Sequence, residues 1–96
     1  MKKLSLDIIE KHLEDYPDWE YRDNALHTLF EFNNFKDAFG AMTRIAFECE
    51  AHNHHPEWSN IYNKVIITLN THDAGGVTQK DIDLLKAIER IVEVEE

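Results

Sequence analysis

The segment His52-Asn53-His54-His55-Pro56-Glu57-Trp58 places three of the chain's six histidines within four positions, and His72 follows further along with Asp73 beside it. Two chemistries suit such a cluster. Neutral imidazole is the commonest protein ligand for zinc, so His52, His54, His55 and His72 with Asp73 or Glu50 form one candidate set. Against it, His52-x-His54 lacks the H-E-x-x-H spacing that puts two imidazoles on one helix face. The second chemistry is proton transfer. Imidazole titrates near ~6.5, so two or three around one substrate can divide acid and base roles, each worth roughly 10²- to 10⁴-fold in rate. His54 and His55 are adjacent, and on an extended backbone they point to opposite sides, which suits two tasks. Pro56 fixes its own φ and stiffens the segment. The plainer alternative is a polar loop whose histidines only make hydrogen bonds, and on the residues alone that alternative stands level with a site.

Nucleophilic and phosphate chemistry have little to work with. No serine occupies a strand-to-helix elbow, and Gly75-Gly76 lacks the lysine of a phosphate-binding loop. Cys49 is the single cysteine, it continues an apolar helical stripe, and no cationic neighbour in the sequence would make it a thiolate.

The elements that must position these groups belong to a short chain. Residues 1–96 are expected to form one domain, because a chain this size buries only ~60 to 70% of its unfolded surface and cannot fill a second core. Hydrophobic residues are 43% and charged residues 30%, the balance of a globular protein rather than a disordered one. The formal net charge of -9 repels phosphate backbones, so direct nucleic-acid binding is not expected. Asp7, Glu10 and Lys11 interrupt any apolar leader, and no run approaches the ~18 apolar residues of a membrane span. With one cysteine and no disulfide, a soluble protein of the reducing cytoplasm is the expectation.

Leu6, Ile9, Leu13 and Tyr16 recur at helical spacing behind Ser5 as cap, and Pro17 ends that helix at Tyr16. WEYR and ALHTLFEF flank Asp23-Asn24 as a β-hairpin in which Leu26, Thr28, Phe30 and Phe32 share one side and His27 faces solvent. From Asn34 the period changes. Phe35, Ala38, Phe39, Met42, Ile45, Ala46 and Cys49 make a continuous stripe that predicts a buried helix face, and Gly40 within it predicts a close approach. The histidine segment then reads as a loop. Ile61, Val65, Ile67 and Leu69 follow in a strand region that breaks near Asn63-Lys64. His72 to Gly76 is a turn. Thr78 caps a last helix with Asp81 at its third position, a capping box with a shortened acid, and Ile82, Leu85, Ile88 and Val92 face inward. The EVEE tail puts carboxylates at a helix C-terminus, where fraying is expected. Strands this few and hairpin-linked predict an α+β fold with an antiparallel sheet and helices on one face. A β-branched edge strand predicts homo-oligomerisation.

Glu50-x-x-x-His54-His55-Pro56-x-Trp58-x-Asn60-x-Tyr62-Asn63-x-Val65-x-Ile67-x-Leu69-x-Thr71-His72, followed by Gly76-Val77-Thr78 and Asp81, closely resembles the signature of pterin-4a-carbinolamine dehydratases. The resemblance spans about Phe30 to Ile91, while the first helix and hairpin fit only by general pattern. It implies a four-stranded antiparallel sheet with three helices on one face, in the order α-β-β-α-β-β-α, and association as dimers or tetramers with sheets joined across the dimer. It also implies the activity of a hydro-lyase that eliminates water from 4a-hydroxytetrahydropterin to give the quinonoid dihydropterin, in the recycling of that pterin, with no metal and no other cofactor.

Carried over by position, His54, His55 and His72 would surround the pterin and Asp81 would steady an imidazole or its charge. Glu50 would support, Thr71, Asp73 and Ala74 would line the pocket, and Pro56 and Trp58 would shape its wall. His55 or His54 would take the N5 proton, with His72 assisting departure of the hydroxyl. His52 is left as a surface residue. Two positions depart from the family pattern: Asn53, where an acid is frequent, and Lys80, where an arginine is frequent. The rival class is a protein-binding role, as a dimerisation partner of a transcription factor or an assembly factor, which would use a helix surface and no histidines.

Overall fold

A computed structural model describes residues 1–95 and the side chains of residues 1–93. Its first helix, α1 (Leu6–Leu13), begins where the Ser5 side chain accepts a hydrogen bond from the Ile8 amide at 3.4 Å. The helix ends at Leu13, short of the expected Tyr16, although the Tyr16 amide still reaches the Leu13 carbonyl at 3.0 Å. Ile9 is buried and Leu13 and Tyr16 pack against the core, but Leu6, expected on the same stripe, is exposed.

Strands β1 (Trp19–Arg22) and β2 (Ala25–Glu31) pair around Asp23-Asn24. Both turn residues have positive φ, 52° and 61°, the conformation that matches the right-handed twist of a two-residue hairpin and that Asp and Asn tolerate. Leu26, Thr28, Phe30 and Phe32 are buried as the alternation predicts. His27 lies on the uncovered side of the sheet, as its alternation predicts, and is half-buried there by its hydrogen bonds. Its ring spans three strands, contacting the Thr68 hydroxyl and the Arg22 carbonyl at 3.1 Å each.

Helix α2 (Phe35–His52) is capped by Asn34, whose Oδ1 accepts from the Asp37 amide at 2.8 Å. Its buried arc is narrower than the sequence stripe. Ala38, Ala41, Ile45 and Cys49 face inward, whereas Phe35, Phe39 and Ala46 are exposed and Phe47 is 72% exposed. Small alanines at the centre of the arc let the helix lie close, so the larger side chains flanking it fall outside the contact. Phe35 and Phe39 instead stack on each other with ring centroids 5.6 Å apart. Gly40 is no close-approach site either, since a Cβ there would meet only the tip of Arg44 at 3.8 Å.

Strand β3 (Glu57–Ile61) starts inside the histidine segment, so Glu57 and Trp58 belong to the sheet rather than to a loop. Tyr62 and Asn63 turn the chain into β4 (Lys64–Leu69). The sheet is four-stranded and antiparallel throughout, in the order β1-β2-β4-β3. Val65, Ile67 and Leu69 are buried while Leu29 and Ile66 on the opposite side are 51% and 37% exposed, so the core covers one face only. A 3-10 turn (His72–Ala74) leads to α3 (Gln79–Glu95), which buries Ile82, Leu84, Leu85, Ile88 and Val92 against α2 and the sheet. The element order is the predicted one, α-β-β-α-β-β-α with a short turn inserted. Fraying is expected of the EVEE tail, residues 93–96; α3 runs on through residue 95, and residue 96 lies outside the described residues. Among the described residues no helix is long and apolar enough to cross a membrane.

Cys49 sits in the core rather than at a reactive surface. Burial, opposed in part by a backbone hydrogen bond and reinforced by the charges of Glu50 and Glu48, pushes its thiol from the ordinary 9.0 up to about 11. Alkylation by iodoacetamide at pH 8 is therefore expected to be roughly a hundredfold slower or more in the folded protein than in urea. Equal rates would contradict the buried assignment. Leu85→Ala should cost ~2 to 5 kcal/mol in denaturant unfolding, while Phe47→Ala should stay within about 0.5 kcal/mol for the isolated fold.

Candidate functional site

The site begins where α2 stops. Asn53 adopts the left-handed conformation, with φ 50° and ψ 45°, its amide bonds the Glu50 carbonyl, and the His54 amide reaches back to the Cys49 carbonyl at 3.0 Å. This paired reversal satisfies the last helical carbonyls and turns the chain sharply. It ends the helix before Pro56 can, and it sends His54 and His55 off in directions fixed by backbone geometry.

His54 meets α3. Its Nε2 lies 2.5 Å from Oδ1 of Asp81, whose side chain is fully buried. A buried carboxylate is tolerated only when its lone pairs are satisfied, and here they are. Oδ2 accepts from the Thr78 amide at 2.9 Å, closing the predicted capping box, and from the Thr71 hydroxyl at 2.9 Å. As a carboxylate Asp81 offers acceptors alone, so His54 supplies Nε2–H, which assigns its neutral tautomer. Nδ1 of His54 has no described hydrogen bond and is not a buried unsatisfied atom, and the residue lines the cavity, so this nitrogen is free to meet a bound molecule.

His55 is held differently. Its Nε2 contacts Oε1 of Glu50 at 2.9 Å, and both side chains are exposed. Such a pair in water contributes little stability, ~0 to 1 kcal/mol, but it orients the ring. His72 opens the 3-10 turn after β4, which is pinned by the Thr71 amide on the Gly76 carbonyl at 2.8 Å and released by Gly75 at φ 73°. Its ring has no described hydrogen bond. His52 pairs with Glu48 at 3.6 Å one turn back along α2, away from the cavity.

These groups surround one cavity of about 410 Å³. Of the residues expected at the site, His54, His55, Pro56, Thr71, His72 and Asp73 line it. Asp81 and Glu50 lie behind the imidazoles that they bond. Trp58 and Ala74 are not in the lining. Trp58 packs against the core and borders a neighbouring depression with Ser59, Ile66 and Thr68. Asn53, Glu57, Asn70 and Lys80 also line the cavity. Asn70 and Glu57 were not among the expected residues, and their signal was positional: one ends β4 just before Thr71, and the other starts β3 just after Pro56. Lys80 adds a cation to a rim that also carries Glu57 and Asp73. The arrangement can shuttle protons at two or three points on one bound molecule. Among the described residues no three His, Cys, Asp or Glu side chains converge as a metal-ligand set.

Comparison with known proteins bears on the family and the fold. The family model described as pterin 4 alpha carbinolamine dehydratase matches residues 2–91, so the likeness includes the first helix and hairpin as well as the histidine signature. A relative from Christiangramia forsetii, provisionally named a pterin-4-alpha-carbinolamine dehydratase, is 54% identical over 97% of this chain and 96% of its own. One from Rhodospirillum rubrum with the same provisional name is 51% identical over 94% of this chain and 96% of its own. The crystal structure of a transcriptional coactivator/pterin dehydratase from Brucella melitensis superposes with a TM-score of 0.90 at 36% identity, covering 94% of this chain and 98% of that one. The signature, the fold and the matched length lead to one conclusion: the chain belongs to the pterin-4-alpha-carbinolamine dehydratase family.

Proposed function

We propose that the cavity dehydrates a 4a-hydroxytetrahydropterin to the quinonoid dihydropterin. The observation that carries this reading is the convergence of His54, His55 and His72 on one cavity, with His54 anchored by a buried carboxylate. The reaction breaks the C4a–O bond, removes the N5 proton and forms the C4a=N5 double bond. The leaving hydroxyl takes a proton from an acid and departs as water, so a base and an acid are both required and no net proton is consumed. Nδ1 of His54 is the open lone pair of a ring whose other nitrogen is committed to Asp81, which suits it to receive the N5 proton. The carboxylate then stands against the ring that carries the charge. His72, with no carboxylate on its ring, donates to the departing hydroxyl, and His55, steered by Glu50, supports the other face of the substrate. Pro56, Thr71 and Asp73 line the cavity, and Trp58 and Ala74 take no direct part in it.

The test follows the decay of enzymatically generated 4a-hydroxytetrahydropterin. The protein should accelerate it, His54→Ala and His72→Ala should each lose about 10²- to 10⁴-fold, and Asp81→Asn should lose a comparable factor by releasing the tautomer of His54. Wild-type protein no faster than buffer removes the enzymatic reading.

A second reading is favoured by a separate surface. Phe35 and Phe39, with Phe47 further round, leave α2 with an uncovered apolar face, and β3 is an edge strand of the sheet. Such surfaces suit self-association into a dimer or tetramer, or a protein partner of the kind that the words transcriptional coactivator attach to the Brucella melitensis protein. Light scattering should give a mass that is a multiple of 11.3 kDa, and Phe39→Glu should lower it. A monomer at tens of micromolar, unchanged by the substitution, would count against self-association. Catalysis and association use different faces and are compatible in one chain.

A further inference from the structure

The hydroxyl of Thr71 cannot donate to a substrate as a pocket wall residue would, because its single hydrogen is already committed inside the protein. It lies 2.9 Å from Oδ2 of Asp81 and 2.7 Å from the hydroxyl of Thr78. The Lys80 amide lies 3.3 Å from that same Thr78 oxygen. The direction of this chain follows from donor bookkeeping. An amide N–H only donates, and a carboxylate oxygen only accepts. Thr71 has one hydroxyl hydrogen, and Oδ2 takes it. The contact between the two hydroxyls must therefore be donated by Thr78, which in turn accepts from Lys80. The chain runs one way, from the Lys80 amide through Thr78 and Thr71 to Asp81.

Its consequence reaches His54. With the Thr71 hydroxyl and the Thr78 amide both on Oδ2, Asp81 is held in one rotamer and Oδ1 is left to His54. Thr71 also precedes His72 in the chain and fixes the start of its turn through the bridge to Gly76. One residue thus ties the two imidazoles assigned the base and acid roles to a common support.

We propose that Thr71 is a positioning residue that acts through Asp81 on His54, rather than a substrate contact. This rests on the dehydratase reading for its kinetic consequence, but its structural consequence is independent of it. Thr71→Val keeps the shape and removes the hydroxyl. Its expected effect is a fall in kcat of roughly tenfold with KM within about twofold, because the lost interaction bears on the orientation of the base and not on binding. Thr71→Ser should regain most of the lost rate. Alongside, the side-chain nitrogen resonances of His54 in ¹⁵N-labelled protein should show a changed tautomer or hydrogen-bond state in Thr71→Val and the wild-type pattern in Thr71→Ser.

A valine variant with unchanged kcat and raised KM would make Thr71 a substrate contact and overturn the proposal. So would a serine variant as impaired as valine, since the methyl and not the hydroxyl would then matter. If Thr71→Val does not fold, Thr71→Ala is read by the same criteria. If the wild type does not dehydrate the pterin at all, the dehydratase reading fails while the His54 resonances still decide: unchanged in the valine variant, they refute the positioning role.

Discussion

One buried carboxylate organises the site. Asp81 is fully enclosed, and a charge in that position is stable only if every strong donor around it is in place. The donors come from three separate parts of the chain: His54 just past α2, Thr71 just past β4, and the Thr78 amide at the start of α3. Satisfying Asp81 therefore draws together the C-terminal end of one helix, the exit of a central strand and the N-terminal end of another helix. The cavity is the space left between them. A capping box that would ordinarily serve only the helix has been extended by two further donors, His54 and Thr71, into the anchor of an imidazole that lines the cavity.

The two carboxylate–imidazole pairs differ in a way that bears on mechanism. His54 is largely buried and bonded to a fully buried Asp81, so the ring is oriented through one nitrogen and keeps the other unengaged. His55 and Glu50 are exposed, and water competes for both partners. A firmly held imidazole, proposed above as the base, beside an adaptable neighbour and an unanchored His72 suits a substrate whose proton and hydroxyl leave from adjacent atoms. The surfaces that such a protein could use for association lie elsewhere, on the uncovered side of α2 and along β3. A small fold can thus carry a site and an interface without conflict between them.

Much of this was legible in the residues. The change of period at Asn34, the Asp23-Asn24 hairpin and the β-branched run from Lys64 to Leu69 declare their elements because local geometry and burial agree there. The signature from Glu50 to Asp81 was dense enough to indicate the family before any coordinates. What failed were statements about which side of an element is covered. Phe35 and Phe39 lie on an apolar stripe, but periodicity gives the apolar arc of a helix and not the width of the neighbour that covers it. His27 keeps the side that its alternation gives, but the ties of its ring to Thr68 and Arg22 depend on register, which no single run of residues shows. The site shows the same limit. The histidines were visible by type, whereas the roles of Thr71, Trp58 and Ala74 depend on where hydroxyls and rings point in three dimensions.

Proton transfer at His54 depends on Nδ1 being bare because Nε2–H is given to Asp81. The most direct measurement is the tautomer of His54 in the unliganded wild-type protein, from long-range ¹H–¹⁵N correlation at a pH where the ring is neutral. The expected result is the Nε2–H form, with the Nδ1 resonance that of an unprotonated nitrogen. A proton on Nδ1, with Nε2 bare, would contradict the Asp81 contact and, with it, the assignment of His54 as the base.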